Sequence, residues 1–402
     1  MAPTDIALAL KATHTASLLT KSILRTLSPS ALSTTSKPDS TPVTIADFAA
    51  QALIISIVRA FHPGDAFLGE ESADALRRDE GLAEAVWQVL ERCRGEVMGM
   101  EAEAEAEEDA LSNVQNRPQE MQMQESDDAE LTKLLPTLFP RTKNAMLDAI
   151  DLGTGTQSSN GRVWVLDPVD GTATFMQGKQ YSVCLSLLVD GQQQLGVTGC
   201  PNLGIDISGG EEGVFNQEVR IYEDLVDRDG YGVVLSAVKG QGTYVRRMLR
   251  NGFGPQKRVV LGTGQGRAVS TLNFVESALG STTLAQEEHH AVAEEVLGTK
   301  WPGTVVWSQQ LKYVALALGA ADVMVRLPRN KERYTHTWDH SGGILLFQEV
   351  GGIVRDLDGK DIYLGQGRRI MGERNYGMVL AMPWAFDAVN DAVKVILDRR
   401  TR

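Results

Sequence analysis

The chain has 402 residues, 43% of them hydrophobic and 23% charged, a balance that excludes collagen-like, mucin-like and wholly disordered chains and suits one large or two medium domains. Its formal charge of −13 is local, because residues 95–130 hold twelve acidic side chains against one basic one, Arg117. The near-neutral remainder has no basic stripe for nucleic acid, and no apolar run approaches the roughly 20 residues of a membrane helix.

Three cysteines, Cys93, Cys184 and Cys200, fit neither a fully paired disulfide framework nor the usual zinc spacings, which favours a reducing compartment. Asp5 and the lack of a compact apolar core argue against a secretory signal, so the cytoplasm is the expected location. Residues 5–27 read as an amphipathic helix, with Ile6, Leu10, Leu18 and Ile23 among its apolar positions, stopped by Ser28-Pro29-Ser30. A second helix is expected from Phe48 to Phe61 and a third from Leu82 to Cys93. The acidic stretch at about 95–130 reads as a solvated, mobile insertion or a loose helix. Short β-branched runs then follow at Val163–Leu166, Tyr181–Val189, Leu195–Thr198, Gly213–Phe215, Gly232–Ala237 and Gly242–Val245, separated by turns such as Asp190-Gly191. Beyond Arg258, strands at Val259–Leu261 and Val323–Val325 alternate with helices at Ala285–Val296, Gln309–Leu318 and Ser341–Val350. An α+β part followed by an α/β part is the implied organisation.

The sharpest chemical signal is Asp167-Pro168-Val169-Asp170-Gly171-Thr172, directly after an apolar strand. Two carboxylates and a turn carbonyl can converge on a hard cation such as Mg²⁺, and Gly171 permits close backbone approach. If a helix starts there, the amides of Gly171 and Thr172 are available to an anion. The same residues also fit an ordinary Asp-Pro/Asp-Gly turn. Glu70 and Glu71 follow the apolar run Phe67-Leu68-Gly69, and Asp339 follows Trp338 ahead of a helix. Taken singly, Asp339 and Asp47 also fit helix caps. Together these acids suit a phosphate-ester hydrolase, in which two cations about 3.5–4 Å apart clamp the attacking and leaving oxygens.

Gly69-Glu70-Glu71-Ser72, Asp167–Thr172 and Trp338-Asp339-His340-Ser341-Gly342-Gly343 resemble, in order and spacing, the motifs of the inositol monophosphatase superfamily of metal-dependent, lithium-sensitive phosphatases. Pro42–Gln51, Tyr181–Asp190, Gly199–Leu203 and Leu316–Val323 are similar to the 3'(2'),5'-bisphosphate nucleotidase branch, which converts adenosine 3',5'-bisphosphate to AMP. The resemblance implies a layered αβαβα sandwich, with an N-terminal α+β part at 1–203 and a C-terminal α/β part at 204–402. It assigns Glu70, Asp167, Asp170, the Val169 carbonyl and Asp339 to two or three Mg²⁺ ions. It makes Thr172 and Asp47 the catalytic pair that orients water, and gives Gly171, Thr172, Lys312, Arg326 and Asp339 to the substrate, a small phosphate ester of the adenine-nucleotide type. Read by themselves, Lys312 also fits a solvated helix lysine and Arg326 the partner of a surface acid.

The substrate shell departs from the branch pattern. Ala173 and Thr174 stand where Lys and Gly are usual, Gln177 replaces an Arg, and Gln309 occupies the Ser position three before Lys312, with Ser308 one residue earlier. The nucleotide-contacting His stretch falls near Ser281–Gln286, which lacks His; His289 and His290 lie just beyond. Lost cations matter at a phosphate site. The expectation is therefore hydrolysis of adenosine 3'(2'),5'-bisphosphate. The alternatives are the same chemistry on an inositol phosphate, sugar phosphate or biosynthetic intermediate, or a diverged non-catalytic binding protein.

Overall fold

The computed structural model describes residues 3–26, 34–36, 42–111, 130–156, 158–209, 212–277 and 284–400, with side chains of 34–36, 42 and 100–111 left aside. Half of the acidic stretch and Ser281 to Thr283 of the His-lacking stretch therefore lie outside the described residues. The third expected helix is longer than its apolar pattern suggests, running from Glu80 to Leu111. Among the described residues, no helix is long and apolar enough to cross a membrane.

A nine-stranded mixed sheet organises the molecule. Its strands are β1 (Ala66–Gly69), β2 (Arg162–Asp170), β3 (Ser182–Val189), β4 (Gln192–Cys200), β5 (Val214–Phe215), β6 (Val233–Val238), β7 (Gly242–Leu249), β8 (Gly252–Phe253) and β9 (Lys257–Val259). The hydrogen-bonded order is β1-β2-β3-β4-β6-β7-β9-β5, with β8 paired to β7. β1 lies parallel to β2, whereas β2, β3, β4, β6, β7 and β9 form an antiparallel run.

Alternation along β2 shows how the sheet divides two cores. Trp164 and Leu166 pack with helices α1 (Asp5–Thr26) and α2 (Ile45–Phe61), whereas Val163 and Val165 pack with α3 (Gln309–Ala317) and α4 (Ser341–Glu349). Successive strand side chains point to opposite faces, so this strand is apolar throughout because both faces are covered. A small sheet of β10 (Val323–Arg326), β11 (Ile353–Arg355) and β12 (Met378–Ala381) follows, in the order β10-β12-β11. Met324, Met378 and Leu380 face the α3/α4 layer, while Val323, Val325 and Val379 face α5 (Pro383–Arg399). The layers are helix, sheet, helix, sheet, helix, the αβαβα sandwich expected from the sequence.

Apart from the longer third helix, the expected strands and helices fall at their positions with ends moved by a few residues. α5, the small-sheet strands β11 and β12, and helix Lys143–Leu152 come from stretches the periodicity left unread.

Candidate active site

β2 ends in Asp167-Pro168-Val169-Asp170, and its pairing with β3 slips there. Asp167 lies opposite Cys184, and Asp170 opposite Ser182. Cys184 and Ser182 are two positions apart and share a face; Asp167 and Asp170, three apart, would point to opposite faces of a regular strand. The extra residue is a β-bulge, and it turns the second carboxylate to the side of the first. Pro168, with no N–H to give the ladder, sits within it.

Asp170 is received by the start of α3. Its Oδ2 accepts hydrogen bonds from Ser308 Oγ at 2.5 Å and the Gln310 amide at 2.5 Å, and its Oδ1 accepts from the Gln309 amide at 3.1 Å. Ser308 is also the N-cap of α3, accepting from the Leu311 amide at 3.0 Å. The unpaired amides and positive end of a helix suit a carboxylate. Gly171 makes this approach possible: its φ is +94°, and a Cβ there would lie 3.1 Å from Ser308 Cβ. Thr172–Phe175 forms only a single helical turn.

Asp47 is the third residue of α2, not its cap. Thr44 caps the helix, and Asp47 Oδ2 closes the box by accepting from the Thr44 amide at 2.8 Å and hydroxyl at 2.7 Å. That fixes the carboxylate, leaving Oδ1 to face the Thr172 hydroxyl at 3.3 Å; the hydroxyl lies 3.0 Å from the Val169 carbonyl.

Glu70 follows β1, and the backbone around it is gripped from two sides. The Gln51 side chain, buried in α2, accepts from the Glu71 amide at 3.0 Å and donates to the Glu71 and Ile150 carbonyls at 2.8 and 2.9 Å. Arg368 donates to the Gly153 carbonyl at 2.6 Å and the Glu70 carbonyl at 3.2 Å, and lies 4.7 Å over the Trp338 ring. Arg368 thus links the segment of Glu70 to that of Asp339. Neither Gln51 nor Arg368 stood out in the sequence, since their partners are backbone groups far along the chain.

Asp339 precedes α4 and does not cap it; His340 occupies the cap position. His340 is buried between the Tyr313 hydroxyl, 2.7 Å from Nδ1, and Thr335 Oγ1, 2.8 Å from Nε2, and burial keeps its ring well below its usual pKa. α4 can pack this closely because Gly343 lies against Tyr313, whose ring a Cβ would approach within 2.4 Å.

The four carboxylates feel one another. Burial, and then the charges of Glu70, Asp170 and Asp339, hold Asp167 well above the ordinary carboxylate range. A side-chain hydrogen bond with Glu70 raises it further. Burial, followed by Asp170 and Glu70, pushes Asp339 up to about 7, and burial also raises Asp170 against the helix donors. Among the described residues, no three His, Cys, Asp or Glu side chains are set tightly enough to grip a cation as they stand. The donor chemistry nevertheless fits a hard divalent cation. Carboxylate oxygens and a carbonyl are the available ligands, and the buried Asp167 Oδ1 has no hydrogen-bond partner.

Lys312 and Arg326 meet at Gln309. Lys312 is 4% exposed, which overturns the solvated-lysine reading, and its ammonium lies 3.4 Å from Gln309 Oε1 and 3.2 Å from the Trp307 carbonyl. The Arg326 guanidinium donates to that same Gln309 oxygen, so its partner is an amide rather than a surface acid. Burial, then the Arg326 charge, lowers Lys312 to about 8, against the pull of Glu276, Asp170 and Asp339. His289 is buried, bound through Nδ1 to Glu276 and accepting the Leu327 amide at 3.0 Å, and is not free to meet a nucleotide.

Known proteins resemble this chain in sequence and fold. The model of the inositol monophosphatase family matches residues 79–385. A 3'(2'),5'-bisphosphate nucleotidase of Emericella nidulans is 34% identical over 96% of this chain and 96% of its own. The 3'(2'),5'-bisphosphate nucleotidase 2 of Candida albicans is 32% identical over 97% and 96%. Among solved structures, extragenic suppressor protein suhB from Bartonella henselae superposes with a TM-score of 0.54 at 15% identity, covering 96% of this chain and 97% of that one. Inositol monophosphatase-II from Staphylococcus aureus gives 0.52 at 14%, covering 96% and 95%. With this fold, these motifs and these relatives, the chain belongs to the inositol monophosphatase family.

Proposed function

We propose that this protein is a Mg²⁺-dependent phosphomonoesterase that removes the 3'- or 2'-phosphate of adenosine 3'(2'),5'-bisphosphate, giving AMP and inorganic phosphate. The observation that carries the reading is the bulge that turns Asp167 and Asp170 to one side, next to the Thr172–Asp47 pair. The nucleotidase names of the relatives support the substrate. In this reading residues 1–203 furnish Glu70, Asp167, the Val169 carbonyl and Asp170, and residues 204–402 furnish Asp339 and the cations Lys312 and Arg326.

Two or three Mg²⁺ ions held by those oxygens would neutralise the carboxylates and make water easier to deprotonate. Asp47, locked by Thr44, holds the Thr172 hydroxyl so that its oxygen accepts a hydrogen bond from water aligned with phosphorus. The water oxygen bonds to phosphorus as the ester P–O bond breaks, and the departing ribose oxygen takes up a proton. Positioning and charge neutralisation suffice, so no covalent enzyme intermediate is needed. Gly171 and Thr172 take the transferred phosphate, while Lys312 and Arg326 take the second phosphate and ribose. We infer a cytoplasmic setting, supported by three buried, unpaired cysteines.

Phosphate release from adenosine 3',5'-bisphosphate is the test. Wild type should act with Mg²⁺ and be inhibited by lithium, whereas Asp170→Asn should stay folded and lose activity. Equal turnover in EDTA would sink the proposal. Ala173 and Gln177, in place of a Lys and an Arg, favour a second reading in which another phosphate ester is preferred. A substrate panel ranked by kcat/KM separates the two.

A further inference from the structure

Lys312 and Arg326 direct their donors at one acceptor, the side-chain oxygen of Gln309. An oxygen held between a buried ammonium and a guanidinium stands where an anion's oxygen is most favourably bound. Gln309 is 8% exposed, with its amide nitrogen 3.5 Å from Met324 Sδ and its backbone amide on Asp170. The backbone anchor is independent of the side chain, so the carboxamide can rotate away without disturbing Asp170. A carboxamide oxygen carries only a partial charge, which two cations hold less strongly than a phosphate or carboxylate.

We infer that Gln309 is a specificity-determining residue, an internal stand-in for anion that any substrate must displace to engage Lys312 and Arg326. This rests on the reading of the chain as a phosphomonoesterase whose substrate carries a second anionic group. The displaced oxygen costs every such substrate part of its binding. A substrate offering only a hydroxyl there lacks the charge to displace Gln309 and must bind without these cations. The residue thus penalises anionic substrates modestly and denies the subsite to neutral ones.

The test uses Gln309→Met, which keeps the side-chain length beside Met324 and removes the acceptor, with Gln309→Ala as the second variant in case Met misfits. For adenosine 3',5'-bisphosphate with Mg²⁺, KM should fall by about three- to tenfold in both variants, with the effect in KM rather than kcat. For 3'-AMP, which lacks the second phosphate, KM should move less than twofold. Gln309→Glu places a carboxylate between the same cations and should raise KM for the bisphosphate at least tenfold. A rise in KM in Gln309→Met and Gln309→Ala would make Gln309 a substrate contact, and an unchanged KM would leave it with no role; either result overturns the inference. Calorimetric titration of sulfate into wild type and Gln309→Met gives a readout independent of turnover, with tighter binding expected in the variant and equal binding overturning the inference. Inactive wild type on every two-phosphate nucleotide would refute the proposed reaction, while the sulfate titration would still decide the role of Gln309.

Discussion

Ser308 offers a quantitative test of how the site is built. Its hydroxyl caps α3 through the Leu311 amide and donates to Asp170 at 2.5 Å. Ser308→Ala removes both bonds. A lost N-cap costs about 1 kcal/mol, and a hydrogen bond to a buried carboxylate about 1.5–3 kcal/mol, so the loss should total about 2.5–4 kcal/mol. Thr142→Ala isolates the first part, because Thr142 caps helix Lys143–Leu152 through the Ala145 amide at 3.1 Å, in an exposed setting without a carboxylate partner. Urea unfolding followed by tryptophan fluorescence should place Ser308→Ala about 1.5–3 kcal/mol below Thr142→Ala, provided the slopes match wild type. If the two variants lose equal stability, the Asp170 bond contributes nothing and the account of helix α3 as the seat of that carboxylate is wrong.

Mg²⁺ should raise the melting temperature of wild type in a thermal-shift assay and fail to do so for Asp167→Asn, since a ligand stabilises only a chain that binds it; an equal rise in both would remove Asp167 from the metal set. Arg368→Ala should raise the Mg²⁺ concentration for half-maximal activity at least about tenfold, because the guanidinium holds the Glu70 backbone and stacks on Trp338. Lys21, buried in α1, donates to the Pro201 carbonyl at 3.1 Å, Asn202 Oδ1 at 2.5 Å and the Asp227 carbonyl at 2.6 Å, and burial lowers its pKa from 10.5 to about 8. The unfolded chain binds the extra proton between pH 8 and 10.5, so this lysine's contribution to folding rises across that window and is lost as pH falls through about 8. The stability difference between wild type and Lys21→Met should shift toward wild type by up to about 3 kcal/mol from pH 7 to 10.5, measured by urea titration at each pH; a constant difference would contradict the shift.

The sequence made the central strands legible because they are apolar on both faces, and the acidic motifs legible because they end such strands. What lay beyond periodicity was anything decided by a distant partner. In α1 the spacing of Ile6, Leu10, Leu18 and Ile23 suggests one buried stripe, yet Lys11, Thr13, His14, Ser17, Thr20 and Lys21 are buried as well. Lys21 meets the Pro201 carbonyl, His14 the Leu249 carbonyl 2.7 Å away and Thr20 the Tyr181 hydroxyl, whereas the hydroxyls of Thr13 and Ser17 have no hydrogen-bond partner among the described residues. Gln51 and Arg368 escaped for the same reason. Lys312 and Arg326 could be named as cations, but their convergence on Gln309 depends on β10 lying beside α3. Pro383 at the start of α5 is a helix-start signal legible in the sequence.

The bulge at Pro168 and Val169 has a further consequence. Removing one residue between Asp167 and Asp170 would restore an unbroken ladder and leave Val163–Leu166 in their cores, so folding would survive or even improve. The two acids would then stand two positions apart and still share a face. Selection for a sturdy chain is therefore blind to this residue, and a single-residue deletion here would keep the acids side by side while costing the site the backbone carbonyl that the bulge leaves outside the ladder.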